Sequence, residues 1–148
     1  LTMSFQEKQY EYLEHTADIK FRAYGKSLEE VFENAALAMF NVIINTEKVS
    51  GDTSREFFLK SPDMESLLVD WLSEILYIFE VDEIVFRKFR VEKIKEEEGE
   101  YSITAQALGE NYYPDSHPFE TEIKAVTYNQ LEIAKTAEGW EAQVVVDI

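Results

Sequence analysis

The stretch Asp18-Ile19-Lys20-Phe21-Arg22-Ala23-Tyr24-Gly25, followed by Lys26-Ser27-Leu28-Glu29-Glu30-Val31-Phe32, changes hydrophobic period within a few residues. In its first part Ile19, Phe21 and Ala23 alternate with Lys20, Arg22 and Tyr24, the period of two that marks a half-buried strand. In its second part Ser27-Leu28-Glu29-Glu30 is a capping box, in which the serine hydroxyl and the glutamate carboxylate satisfy backbone donors at a helix start. Leu28, Val31, Phe32, Ala35, Ala36, Met39 and Ile43 then recur at helical spacing, which predicts a helix running to about Ile44. A strand feeding an amphipathic helix is the unit from which the fold class is read.

The same alternation occurs upstream in residues 10–14, so two short strands flank the polar turn His15-Thr16-Ala17. Downstream, residues 55–60 read as a strand. Ser61-Pro62 supplies a cap and a proline at the first helical position before Met64, Leu67, Leu68, Trp71, Leu72, Ile75 and Leu76. That pattern predicts a second amphipathic helix. Residues 83–95 and 100–109 read as strands joined at the acidic Glu96-Glu97-Glu98-Gly99, a natural hairpin turn. Residues 110–118 form a polar loop, and residues 119–128, 130–136 and 140–148 give three more strands, the last two joined around Glu138-Gly139. The architecture expected is α+β, a mostly antiparallel sheet structure with two amphipathic helices packed on it. No repeat or linker divides the chain, so residues 1–148 are expected to form one domain.

Composition bounds the function. With 45% hydrophobic and 14% aromatic residues spread along the chain, it falls outside the disordered range. There is no cysteine, which removes disulfides, thiolate metal sites and cysteine nucleophiles and suits a reducing compartment. The longest apolar run, residues 35–40, is far short of the roughly 20 residues that span a bilayer. Leu1-Thr2-Met3-Ser4-Phe5 lacks the layout of a secretory signal, so a cytoplasmic protein without membrane contact is expected. The net charge of −16 repels phosphate backbones and attracts cations and basic surfaces. Tight, direct nucleic-acid binding is therefore not expected.

Catalytic signatures are missing. Neither histidine sits in a recognisable triad sequence, and the dispersed glycines build neither a P-loop nor a dinucleotide fingerprint. Carboxylates say more. Asp18 lies where a polar turn enters a strand, and Asp147-Ile148 follows the apolar Val144-Val145-Val146, offering a side-chain carboxylate and the α-carboxylate within one residue. Such oxygens, if they meet in space, suit a hard cation such as Ca²⁺, Mg²⁺ or Mn²⁺, while a turn-capping role for Asp18 needs only local hydrogen bonds. His15 and His117 each read as a hydrogen-bonded structural group or a ligand. Asp70 and Glu74, one turn apart on the second helix, form either a solvent-facing stripe or a meeting point for a cation, and Lys124 follows Glu122 where it would pair with neighbouring acids.

Several of these stretches together resemble the archease family. The likeness is carried by His15-Thr16-Ala17-Asp18-Ile19, by Leu67-Leu68-Val69-Asp70-Trp71-Leu72-Ser73-Glu74-Ile75-Leu76, by Glu122-Ile123-Lys124-Ala125-Val126-Thr127-Tyr128, and by Val146-Asp147-Ile148, in order over almost the whole chain. One departure is visible: where the family usually carries histidine after Thr127-Tyr128, this chain has Asn129, and a histidine role does not transfer.

The resemblance implies a protein cofactor, not an enzyme, that works with an RtcB-type, GTP-dependent RNA ligase in tRNA splicing and promotes ligase guanylylation and multiple turnover. It further implies a divalent-ion site at Asp18, Asp147 and the carboxylate of Ile148, with Ca²⁺ or Mn²⁺/Mg²⁺ as the ion. His15, Asp70, Glu74 and Lys124 stand as supporting or partner-contact residues. Two other readings compete: a chaperone-like factor for RNA-processing proteins, and a metal-dependent hydrolase, which would need a general base and an open coordination position that the sequence does not identify.

Overall fold

The computed structural model describes residues 8–13 and 18–148. Its strands are β1 (Tyr10–Leu13), β2 (Ile19–Gly25), β3 (Thr53–Ser61), β4 (Ile84–Glu97), β5 (Glu100–Asn111), β6 (Ala125–Lys135) and β7 (Trp140–Asp147), and its helices are α1 (Leu28–Ile43) and α2 (Met64–Asp82). One sheet runs β1-β2-β7-β6 and the other β3-β5-β4, with antiparallel pairing throughout. The α+β expectation holds.

Helix α1 begins as the capping box requires, with the Ser27 hydroxyl accepting from the Glu30 N–H at 3.2 Å. The Glu30 carboxylate reaches one residue further back than the usual box and accepts from the Lys26 N–H at 3.0 Å. One face of α1 buries Val31, Phe32, Ala35, Ala36, Met39, Phe40 and Ile43, and the helix packs against β2 and β4, so it joins the two sheets. Its flank protects a sheet edge: Glu33 accepts from the Val91 N–H at 2.8 Å and Glu29 from the Ile94 N–H at 3.1 Å. Backbone donors on an edge strand need partners, and these two carboxylates supply them. Burial pushes the Glu33 carboxyl above its ordinary range, against the lowering effect of the Val91 N–H.

Helix α2 starts differently from the expectation. Ser61 is the last residue of β3, and the cap is Asp63, whose carboxylate accepts from the Ser66 N–H at 2.7 Å. Aspartate two residues later is the better placed acceptor, because Pro62 favours extended backbone before it and the strand uses Ser61 to its end. Glu83 is likewise not a strand residue but the left-handed C-cap of α2, at φ 53°. The β4–β5 hairpin closes as read, through Glu98 and Gly99, both at positive φ (52° and 80°) between the paired Glu97 and Glu100.

The largest correction concerns the C-terminal third. Residues 119–124 form no strand, and what reads as two strands around Asn129 is the single strand β6. Thr127 pairs with Val145 and Glu132 with Gln143, so β6 spends five steps where β7 spends two, and the excess is carried in a bulge with Gln130 at φ 55°. The bulge is tied down by Gln143 Nε2 donating to the Gln130 carbonyl at 2.9 Å and Lys20 Nζ to its side-chain oxygen at 3.0 Å. Asn129 is exposed on this bulge, its N–H donating to Thr127 Oγ1 at 3.3 Å.

Gly109 lies at a bulge of β4 against β5, where a Cβ would overlap the carbonyl oxygen of Val85 and the Cα of Phe86. Gly109→Ala is therefore expected to lower stability by at least about 1–3 kcal/mol, the usual cost of overpacking, read as a lower denaturant midpoint at unchanged slope. Among the described residues no helix is long and apolar enough to cross a membrane.

Candidate functional site

The register of the first sheet brings carboxylates from the two ends of the chain together. Ile19 pairs with Val146, so one step beyond that pair Asp18 and Asp147 occupy facing ends of adjacent antiparallel strands. Strand β7 is held between β2 and β6 by the fully buried Val144, Val145 and Val146, which gives Asp147 a fixed base although its own side chain is exposed. Lys124 is drawn to the same place, its N–H donating to the Asp147 carbonyl at 2.7 Å. It does so from an irregular segment, exposed and without an ion pair among the described residues, so the expected pairing with neighbouring acids is absent there. Neither Asp18 nor Asp147 forms an ion pair among the described residues.

Asp18, half-buried, lines a groove of about 440 Å³ together with Tyr12, Asn41, Glu120 and Thr121. The Tyr12 hydroxyl donates to the Ala38 carbonyl at 3.0 Å, and burial of that hydroxyl pushes its ionisation far above the ordinary phenol range. Tyr12 is thus a neutral wall of the groove at physiological pH. Asn41 is fully engaged, accepting from the N–H and hydroxyl of Thr46 and donating to the Leu37 carbonyl. Glu120 is fixed by its N–H donating to the Ile43 carbonyl at 2.8 Å. None of these carries a motif, and only the fold brings them beside Asp18.

The other residues singled out from the sequence lie elsewhere. His15 lies outside the described residues. Asp70 and Glu74 line a separate groove of about 390 Å³ with Leu59, Lys60, Ser73 and Tyr77, and Asp70 accepts from the Ser61 hydroxyl at 2.6 Å. His117 is structural: it is 1% exposed, its Nδ1 accepts from the Tyr113 N–H at 2.9 Å, and Nε2 therefore donates to Glu110 Oε2 at 2.8 Å. The ring is neutral in this arrangement, so the contact is a hydrogen bond and not an ion pair.

Glu110 also accepts from the Ser50 N–H at 2.8 Å, and that bond, followed by the one from His117, holds its carboxyl below the ordinary value of 4.5. A depressed carboxyl stabilises the fold above the unfolded value and loses that contribution as pH falls through the folded one. Wild-type stability is accordingly expected to fall more steeply than that of Glu110→Gln as pH drops below 4.5, measured by urea titration at a series of pH values.

Among the described residues no group of three or more histidine, aspartate or glutamate side chains converges on one point. A cation at the Asp18–Asp147 end would rest on two side-chain carboxylates, main-chain oxygens and water. That donor set is hard and all-oxygen, which fits Ca²⁺, Mg²⁺ or Mn²⁺ and does not fit a closed zinc site.

Residues 10–148 match the model of the archease protein family. A relative from Methanosarcina barkeri called protein archease is 82% identical over 99% of this chain and 100% of its own length. The Pyrococcus abyssi protein archease is 46% identical over 95% and 99%. The solution structure of Methanobacterium thermoautotrophicum protein 1598 superposes with a TM-score of 0.84 at 42% identity, covering 95% of this chain and 99% of that one. A crystal structure of an archease from Thermotoga maritima, itself described as a possible chaperone, shares the fold at a TM-score of 0.57 and 24% identity, covering 92% and 94%.

Proposed function

The chain belongs to the archease family, and from that premise we propose that it is a protein cofactor of an RtcB-type RNA ligase, promoting guanylylation of the ligase by GTP and its repeated turnover in tRNA splicing. The observation that carries the proposal is the facing of Asp18 and Asp147 at one sheet end, beside an open groove. Two carboxylates without an ion pair among the described residues, on a chain of net charge −16, form a natural contact for a metal-dependent, RNA-binding and hence basic enzyme. With main-chain oxygens at Ile148 and water, they would hold a divalent ion. Lys124 is placed to support this end, and the Asp70–Glu74 groove offers a second acidic contact for the partner.

The chaperone reading finds less support. The apolar face of α1 is consumed by the core, and large exposed apolar side chains are spread over separate elements, including Phe58 on β3, Tyr77 on α2 and Tyr128 on β6.

The step is tested by following incorporation of labelled GTP into the purified ligase with Mn²⁺, with and without this protein. A coupling of about 1–3 kcal/mol corresponds to roughly a 5- to 150-fold gain in labelling. Equal labelling in both reactions would remove the proposal.

A further inference from the structure

The outward face of the β3-β5-β4 sheet gathers exposed basic residues along β4. The register sets out four rows across it: Ser54–Leu108–Lys88, Glu56–Gln106–Arg90, Phe58–Thr104–Lys93 and Lys60–Ser102–Lys95. Paired residues share a face, and the alternate residues Phe57, Phe89, Val91, Ile103, Ala105 and Ala107 are buried in the core, so these rows look outward. Five of the 14 basic residues stand here beside Glu56, with the exposed Glu92 at the β4 bulge and with Glu97, Glu98 and Glu100 at the hairpin end, where Lys95 pairs with Glu97 and the glutamates share a groove with Phe58 and Lys60. Lys60, Lys88, Arg90 and Lys93 form no ion pair among the described residues.

Its chemistry is specific as well. Phe58 is 60% exposed in the middle of the face, with Lys60 Nζ 5.9 Å from its ring centroid, and the floor beside it is built from the partly exposed Thr104 and Gln106, with Ser102 buried beneath. Along β4, Lys88 and Arg90 stand at alternate positions, about 6.6 Å apart on an extended strand, and the bulge at Glu92 returns Lys93 to the same face, a spacing comparable with successive phosphates of an extended polynucleotide. An exposed ring on a sheet accepts a stacked base, and hydroxyl and amide groups on the floor suit a ribose 2′-hydroxyl.

We propose that this face binds single-stranded RNA, with phosphates along Lys88, Arg90 and Lys93 and a base on Phe58 beside Lys60. Binding is weak in the isolated protein, because the net charge opposes it.

The probe is a fluorescein-labelled RNA decamer without secondary structure, followed by anisotropy with the full chain. With three to four phosphate contacts at a slope of about −0.7 each, affinity is expected to fall about 20- to 50-fold between 50 and 200 mM salt. Phe58→Ala is expected to weaken binding about 5-fold or more, as loss of one stacked base would. Lys93→Glu should nearly abolish binding, while Lys135→Glu, which changes net charge equally on β6 of the other sheet, should have a much smaller effect. The proposal is overturned by no binding at 50 mM salt, by equal losses in Lys93→Glu and Lys135→Glu, by a DNA decamer binding as well as RNA, or by polyglutamate displacing the RNA at equal charge, which would assign the face to an acidic protein.

Discussion

Trp71→Ala is expected to cost about 3–5 kcal/mol of stability, the range for truncating a large buried aromatic. Trp71 is fully buried on α2, and its indole N–H donates to the Phe32 carbonyl of α1 at 3.0 Å, which ties the two helices together. Its ring stands edge-on to Phe57 of β3 at 4.9 Å and to Phe89 of β4 at 6.2 Å, so one side chain joins both helices to the second sheet. Against a domain stability of about 5–15 kcal/mol, the loss would remove about a fifth or more of the total. Urea denaturation should show the midpoint falling by that proportion; a change below about 1 kcal/mol would mean that the cavity collapses freely around it.

The second large effect concerns the divalent ion. Asp18→Ala and Asp147→Ala are each expected to abolish Ca²⁺ and Mn²⁺ binding in titration calorimetry, because a site of two carboxylates loses half its side-chain charge with either change. Both side chains lie at strand ends outside the core, so the thermal midpoint should stay close to wild type. Unchanged affinity in both aspartate variants would remove the site.

The elements that were legible in the sequence are those whose signals are local. The Ser27–Glu30 box, the helical spacing of Leu28 to Ile43 and the Glu98-Gly99 turn each depend on residues within a few positions of one another. The β6 bulge was not legible, because its cause is the mismatch of register against β7, and a run such as Thr127-Tyr128-Asn129-Gln130 reads the same whether a chain ends a strand or loops out of one. Asp63 was passed over as the cap of α2 because Ser61-Pro62 carries an equally good local signal, and only the length of β3 decides between them.

The site divides in the same way. Asp18 and Asp147 were drawn together by family resemblance, and strand register is what makes them neighbours; no spacing within the chain discloses it. Tyr12, Asn41 and Glu120 had no signal at all. The basic sheet face was hidden by the sum of charges, since a net value of −16 records the excess of acids and not where the cations stand.

The central claim is activation of another enzyme, and multiple-turnover ligation at limiting ligase tests it most directly. With GTP, Mn²⁺ and excess RNA halves, the account predicts that wild-type protein raises joined product well above one per ligase, while Asp18→Ala, folded to the same thermal midpoint, leaves most of that gain unrealised. Equal turnover with wild-type protein, with the variant and with neither would contradict it.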